Sequence, residues 1–222
     1  MVPPDSQKST ISLDYPILGV AEEVNDPPRT QRWDFIYAID ATAALLLAFL
    51  TLPIMALSAL WVVLVDGGNP FFVQTRIGLD GRPYRIYKIR SMRHHHGNAQ
   101  FCADGDERII PGGHFLRLSR IDELPQLFNV LKGDMALVGP RPEQPAFVKT
   151  FLEEIPRYGE RFVVKPGITG LAQVHQGYVD SLRGTRLKLK FDIFYIRNRS
   201  VALWFFIVFN TVRVVLFRHG AR

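Results

Sequence analysis

Between Ala41 and Val65 the chain carries 25 consecutive residues without a charge, interrupted only by Thr42, Thr51, Ser58 and, at the middle, Pro53. A run longer than about 18 apolar residues is read first as a membrane helix, with the buried helix of a soluble core as the alternative. Pro53 divides it into Ala41–Leu52 and Ile54–Val65, twelve residues each, or about 18 Å per arm at the helical rise. Neither arm alone crosses a hydrocarbon layer of about 30 Å. Nearly straight, the two arms together cross; bent sharply at Pro53, they enter and leave by the same leaflet. Proline is tolerated in spanning helices, so its presence alone leaves both geometries open.

Charge narrows the partners. The 222 residues hold 27 Lys and Arg against 21 Asp and Glu, a formal net charge of +6. Such a balance points to nucleic acid, anionic lipid or a phosphorylated substrate. Nucleic acid has only the charge in its favour, since no reading helix or base-stacking motif accompanies it, and is not expected as a partner. With 47% apolar residues and a single Cys, the chain is neither a disordered polymer nor a disulfide scaffold. Gly67 to Gln100 contains Arg76, Arg82, Arg85, Lys88, Arg90 and Arg93 against Asp80, which assigns this flank to the cytoplasmic side.

Three regions are expected: a tail over 1–33, a membrane-embedded segment over 34–66 and a catalytic domain over 67–222. The tail has five prolines and, up to residue 30, five acids against Lys8 and Arg29. It has no helical or strand period and reads as disordered and acidic. It also lacks the basic start, apolar core and cleavage site of a signal peptide.

Phe71 to Arg76 and Tyr84 to Arg90 read as strands of a β-hairpin joined across Gly78-Leu79-Asp80-Gly81. A Gly-rich loop follows over 97–113. Helical spacing returns through Leu124 to Leu131, and further helices are expected over Pro145 to Tyr158, Ser181 to Asn198 and Val201 to Phe217. The last, rich in Phe, Trp and Val, suits either an interfacial helix or a C-terminal core helix.

Asp122 and Glu123 stand at the head of the Leu124 run, in what reads as the first turn of a helix. Capping explains such carboxylates, and Ser119 with Asp122 has the capping-box spacing. Pro125 weighs against it: with Asp122 as N-cap, Pro125 falls at N3 and has no N–H to offer. Part of the Asp122 carboxylate is then free for a metal or for nucleophilic attack. Arg141 lies between Pro140 and Pro142, a stiff segment suited to presenting a guanidinium to a phosphate, or simply a rigid turn. Lys165-Pro166-Gly167-Ile168-Thr169-Gly170 is a second stiff turn. His94-His95-His96 lacks companions at ligand spacing and reads as a solvated loop; Cys102 has no identifiable partner. Neither a Walker A sequence nor a dinucleotide fingerprint is present.

In order, these pieces resemble the monotopic phosphoglycosyl transferases, bacterial sugar transferases that start glycan assembly on polyprenol phosphate. The blocks are the proline-interrupted helix, Arg85-Ile86-Tyr87-Lys88-Ile89-Arg90-Ser91-Met92, Asp122-Glu123-Leu124-Pro125-Gln126-Leu127, Lys132-Gly133-Asp134-Met135, Val138-Gly139-Pro140-Arg141-Pro142 and Lys165 through Gln173. The resemblance runs from about Asp40 to Phe217. It implies an α+β, mostly helical chain in which a re-entrant membrane helix, broken at Pro53, holds a small cytosolic catalytic domain with a β-hairpin and interfacial amphipathic helices.

The implied place is the cytoplasmic face of the bacterial inner membrane. The implied reaction is transfer of a sugar 1-phosphate from a UDP-sugar to undecaprenyl phosphate, releasing UMP, with Mg²⁺ as cofactor. Asp122 is then the nucleophile that carries a phosphosugar intermediate, and Glu123 completes the dyad and helps hold the metal. Arg85, Lys88, Arg90, Arg117, Arg120, Pro140, Arg141, Pro142, Lys165 and Gln173 are the candidates for substrate binding. Inner-membrane lipid is a further partner, and a homodimer stays open.

Four features depart from the family pattern. Leu52 stands where Ser commonly precedes the proline, and the basic pair before the helix is reduced to Arg29 and Arg32. Arg120-Ile121 replaces a small polar and an apolar residue, and Gly177-Tyr178-Val179-Asp180 stands in place of an Asn-Gly-Arg run. The competing reading is a non-catalytic membrane-surface adaptor, motivated by the charge and the aromatic C-terminal segment.

Overall fold

The computed structural model describes residues 31–93, 106–176 and 181–217. The acidic tail up to residue 30, His94 to His96, Cys102 and the Gly177 to Asp180 segment lie outside the described residues.

The uncharged run is one helix, α1 (Gln31–Asp66), with Pro53 inside it. The helix is therefore not interrupted at the proline, as the broken-helix expectation required. Proline removes the bond that its N–H would give Phe49 O, a common cause of bending in long helices. Thr51 Oγ1, donating to Leu47 O at 2.7 Å one turn earlier, adds a back-bond of the kind that bends helices.

The side of α1 facing the rest of the molecule is a narrow stripe: Ile36, Asp40, Ala44, Ala48, Met55, Ser58 and Val62 are buried. Its opposite side exposes Phe35, Leu46, Phe49, Leu50, Leu57 and Leu64. Small residues Ala44, Ala48 and Ser58 on the packed face and large apolar ones over the whole outside is the distribution of a helix solvated by lipid rather than by water. The segment Phe35–Asp66 is long and apolar enough to cross a membrane.

After α1, β1 (Phe71–Ile77) and β2 (Pro83–Ile89) form the expected antiparallel hairpin, with Phe71 opposite Ile89 and Ile77 opposite Pro83. Their connection is a 3₁₀ turn, Leu79–Gly81, with Asp80 in the left-handed region. The end of the Gly-rich stretch is ordered by a bridge between Met92 and Ile109 and leads into α2 (Gly113–Leu118), which the sequence reading missed.

A 3₁₀ turn (Ile121–Glu123) and α3 (Gln126–Leu131) follow. Next come β3 (Ala136–Val138), α4 (Pro145–Glu154) and a 3₁₀ segment (Tyr158–Val163). β4 (Gly167–Thr169), α5 (Leu171–His175), α6 (Leu182–Arg197) and α7 (Val201–Phe217) complete the described order. α6 is capped by Ser181, whose Oγ accepts from Gly184 N at 3.2 Å.

β3, which leads into the Pro140-Arg141-Pro142 segment, and β4, which lies inside the second stiff turn, form a parallel strand pair. Ala136 pairs with Gly167 and Val138 with Thr169. The backbones approach so closely that a Cβ on Gly167 would stand 2.1 Å from Gly139 N, and one on Gly170 would stand 2.2 Å from Gly139 O. Glycine at these positions is a packing requirement.

The main core joins Ala44 and Ala48 of α1 to Ile86, Leu127, Val138, Tyr195 and Ile207. A second cluster packs Ile77, Val148, Tyr158, Phe162 and Leu189. The last helix contributes to the core through Trp204 and Ile207, which are buried, while Phe205, Phe206, Phe209 and Val212 are exposed. Trp204 Nε1 donates to Asp40 Oδ1 at 2.7 Å, tying α7 to α1.

Candidate active site

The chain leaves α2 through Arg120, whose φ of 58° lies in the left-handed region and reverses it into the Ile121–Glu123 turn. A non-glycine residue there costs on the order of 1 kcal/mol, and such strain is held by its surroundings. The turn and the start of α3 direct Asp122 and Glu123 inward, where they are 8% and 6% exposed.

Neither carboxylate caps a helix. Ser119 Oγ donates backwards to Phe115 O at 2.6 Å, and α3 begins only at Gln126, with Pro125 as its N-cap residue. The capping explanation is corrected, and the first turn that carries the two acids belongs to the separate 3₁₀ helix Ile121–Glu123 rather than to α3. Left-handed Arg120 starts a separate short turn, and Pro125 delays the helix.

The two acids have opposite surroundings. Glu123 Oε1 accepts from Lys88 Nζ at 2.9 Å and from Arg141 Nη2 at 2.6 Å, and Oε2 accepts from Arg141 Nη1 at 3.3 Å. Arg120 Nη1 stands 3.8 Å away. Burial pushes the Glu123 carboxyl up, but Arg141 and Lys88 outweigh it and hold it well below the usual carboxylate range. Asp122 Oδ1, by contrast, is buried with no hydrogen-bond partner. Burial, with the neighbouring Glu123 charge adding to it, raises the Asp122 carboxyl to about 6 against the pull of Lys88, Arg120 and Arg117.

Of the candidate binding residues, Lys88, Arg120 and Arg141 converge on Glu123. Arg117 acts on Asp122 through its charge and donates Nη1 to Met92 Sδ at 2.8 Å. Pro140 and Pro142 hold Arg141 between them, and their carbonyls accept from Gly167 N and Arg76 Nη1 at 3.0 and 3.3 Å.

The other four candidates stand elsewhere. Arg85 is exposed on the face of β2 opposite Lys88, as strand alternation requires. Arg90 pairs with Asp66 at 3.4 Å and donates to Gly67 O, fastening the hairpin to the end of α1. Lys165 Nζ lies 4.5 Å from the centre of the Tyr37 ring, which also carries Arg199 at 4.7 Å. Gln173 Nε2 donates to Ile168 O at 3.0 Å and braces the β4–α5 connection.

Sequence reading missed Asn129. It is fully buried, accepting from Tyr87 N at 3.1 Å and donating to Arg85 O at 2.7 Å. Those two bonds lock β2 against α3 and so carry Lys88 to Glu123. It also missed the group behind Arg141, in which Arg161 and Asp192 are buried and Glu143 and Lys188 partly buried.

No group of three or more His, Cys, Asp or Glu side chains able to hold a metal occurs among the described residues. A Mg²⁺ ion bound mainly by substrate phosphates and water needs only one or two carboxylates. The Asp122 carboxylate meets that need, whereas the oxygens of Glu123 are engaged by Arg141 and Lys88. The dyad thus fits a substrate-borne Mg²⁺ and not an all-protein cage.

Fold and site together define a membrane-type apolar helix packed on a small α+β body whose buried acid pair is ringed by cations. The chain belongs to the bacterial sugar transferase family, whose profile matches residues 32–218. It is 48% identical over 187 residues, 83% of its length, to the UDP-N-acetylgalactosamine-undecaprenyl-phosphate N-acetylgalactosaminephosphotransferase of Aeromonas hydrophila, covering 44% of that protein. Identity is 41% over 182 residues, 80% of the chain, to the UDP-glucose:undecaprenyl-phosphate glucose-1-phosphate transferase of Caulobacter vibrioides, of which the match covers 68%. It is 40% over 179 residues, 79% of the chain, to the protein of that same name in Escherichia coli K12, of which 39% is covered. The chain therefore spans less than half of two of these relatives.

Proposed function

We propose that the chain transfers a sugar 1-phosphate from a UDP-sugar to undecaprenyl phosphate, releasing UMP, at the cytoplasmic face of the bacterial inner membrane. This step would start a membrane-linked glycan. The observation that carries the reading is the asymmetry of the acid pair: Glu123 is saturated by Arg141 and Lys88, while Asp122 keeps a buried oxygen without a partner.

In this reading Asp122 Oδ1 attacks the phosphorus that bears the sugar. The bond from that phosphorus to the bridging oxygen breaks, its electron pair leaves with UMP, and the sugar phosphate is held on Asp122 as an acyl phosphate. A phosphate oxygen of the polyprenol carrier then attacks the same phosphorus and restores the carboxylate. Burial makes Asp122 more basic than an ordinary carboxylate, hence a better nucleophile, and a value of about 6 still leaves it ionised at neutral pH.

Anionic attack on an anionic substrate needs positive charge. Arg141, Lys88, Arg120 and Arg117 supply it around the dyad. When bound, Mg²⁺ would add charge neutralisation on the phosphate oxygens, with the Asp122 carboxylate as its contact on the protein side, since both Glu123 oxygens are engaged by Arg141 and Lys88.

The membrane helix has its own logic, since the polyprenol carrier stays in the bilayer. The buried stripe of α1 extends from Ile36 to Val62 along the catalytic body. A helix crossing the bilayer would draw that body into hydrocarbon, which supports an arrangement with both helix ends on the cytoplasmic side.

The test is UMP release by the protein in nanodiscs with undecaprenyl phosphate and Mg²⁺, starting with UDP-N-acetylgalactosamine and UDP-glucose. Acceptor-dependent UMP release that stops on chelation and returns with Mg²⁺ is expected. Folded protein that binds anionic vesicles but consumes no UDP-sugar across a broad panel would leave the adaptor reading in its place.

A further inference from the structure

Behind Pro140-Arg141-Pro142 lies a second group of charges, centred on a buried pair, with no part in the transfer chemistry. Arg161 and Asp192, with side chains 2% and 3% exposed, pair at 2.8 Å. Arg161 Nη1 donates to Tyr158 Oη at 2.6 Å. Lys188 pairs with Glu143, which Arg76 approaches at 4.0 Å. Such groups are costly to bury, and well-packed apolar residues would serve stability as well.

The distinguishing feature is where this layer donates. Arg161 Nη2 donates to Arg141 O at 2.9 Å, Arg76 Nη1 to Pro142 O at 3.3 Å, and Ile77 N to Glu143 O at 3.1 Å. Three consecutive carbonyls are held from the rear. Proline at 140 and 142 leaves that stretch with few N–H groups of its own, so its carbonyls are the handles by which it is fixed. On the upstream side, Gly139 N donates to Thr169 O at 2.8 Å and Gly167 N to Pro140 O at 3.0 Å.

We propose that Arg161, locked by Asp192 and Tyr158, is a positioning residue that fixes the main chain of Arg141 and thereby aims its guanidinium at Glu123 and at the phosphates of the substrate. The proposal rests on the reading above that Arg141 belongs to the transfer site. Arginine is needed because one planar fork must reach Tyr158, Asp192 and the Arg141 carbonyl at once; a lysine ammonium on a shorter reach cannot hold all three.

A double-mutant cycle tests this in nanodisc-bound full chain, with a radiolabelled UDP-sugar that supports turnover. Arg161→Lys alone is expected to lower kcat/KM on the order of tenfold to a hundredfold, the scale of a small misplacement at a reacting centre. It should divide that loss between kcat and KM as Arg141→Ala does. In the Arg141→Ala background, adding Arg161→Lys should change kcat/KM by less than about twofold, because a residue acting only through Arg141 has nothing left to aim.

Additive losses would overturn the proposal, and so would wild-type kinetics for Arg161→Lys. Full activity of Arg141→Ala alone would instead overturn the transfer-site reading, and the proposal with it. Should Arg161→Lys fail to fold, Tyr158→Phe carries the same cycle, since it removes one anchor of Arg161 and keeps the ring.

Discussion

Two buried charge clusters face opposite sides of the Pro140-Arg141-Pro142 segment, and they are built to different ends. The rear cluster of Arg161, Asp192, Tyr158, Lys188 and Glu143 pairs each of its acids with a cation. It is closed, with Arg161 and Asp192 almost fully buried. The front cluster around Asp122 and Glu123 is open through its cations: the Arg120 side chain is 46% exposed and that of Arg141 31%. It is also unfinished, since Asp122 Oδ1 has no partner. In the rear the atoms left over are guanidinium nitrogens, Arg161 Nε and Arg76 Nε, while every acid is paired; in the front the atom left over is a carboxylate oxygen, a group able to attack or to bind a cation. The contrast assigns chemistry to the front and alignment to the rear.

Removing the unfinished group should separate activity from stability most sharply. Asp122→Asn is expected to lower sugar-phosphate transfer by roughly 10³-fold or more, the scale of losing a nucleophile. It should not lower the melting temperature, because it removes a buried charge that a carboxyl held at about 6 disfavours. Kinetics with thermal unfolding of the same sample check both halves, and a joint loss would erase the distinction between the clusters.

Breaking the rear should cost stability as well as activity. Arg161→Met leaves Asp192 buried without its partner and is expected to cost about 3 to 5 kcal/mol of stability. Arg141→Met, in the more open cluster, should cost less stability while removing more activity per folded molecule. Denaturant titration of the two variants in one detergent compares them.

The smallest effect is on pH, and here the two front carboxylates pull in opposite directions. Asp122 is raised, so the charged form needed for attack is lost as pH falls through about 6, and transfer should decline about tenfold per unit below that value. Its contribution to stability has the opposite sign: it is fully present below the ordinary Asp value and fades as pH rises through about 6. Glu123 is depressed, so its stabilisation is present above the ordinary Glu value and is lost only as pH falls well below it. A rate profile with an acid limb near 6, with no matching loss of fold, sharpens the comparison. An acid limb that tracks unfolding would blur it.

The front cluster was more legible in sequence than the rear. Asp122 and Glu123 are adjacent, Arg141 is marked by its two prolines, and Lys88 sits in a basic hairpin whose strand ends fell within a residue of the observed ones. The helix over Val201 to Phe217 was read with its observed ends. The rear was hidden because Glu143, Arg161, Lys188 and Asp192 come from distant parts of the chain, and each alone reads as a solvated charge. One signal was available: Thr185, Leu189, Asp192 and Ile196 form the buried stripe of α6, so a carboxylate stands at a core position.

β3 and β4 escaped because three-residue strands are too short to show an alternation, and all three residues of β3 are buried. Their pairing is set by the close approach of Gly139 and Gly167, which only the three-dimensional structure brings together. The uncharged run announced α1, but continuity through Pro53 depends on the packing of both arms against the body, which hydropathy does not encode.

The central claim is that Asp122, the unpartnered acid, carries the sugar phosphate. Its most direct test is intact-protein and peptide mass spectrometry after rapid acid quench of nanodisc-bound protein mixed with UDP-sugar and Mg²⁺, without polyprenol phosphate. A mass gain equal to one sugar phosphate on the peptide containing Asp122, absent in Asp122→Asn and discharged by adding undecaprenyl phosphate, is the expected result. Acceptor-dependent transfer by the wild-type protein with no adduct, or with an adduct on another residue, would contradict it.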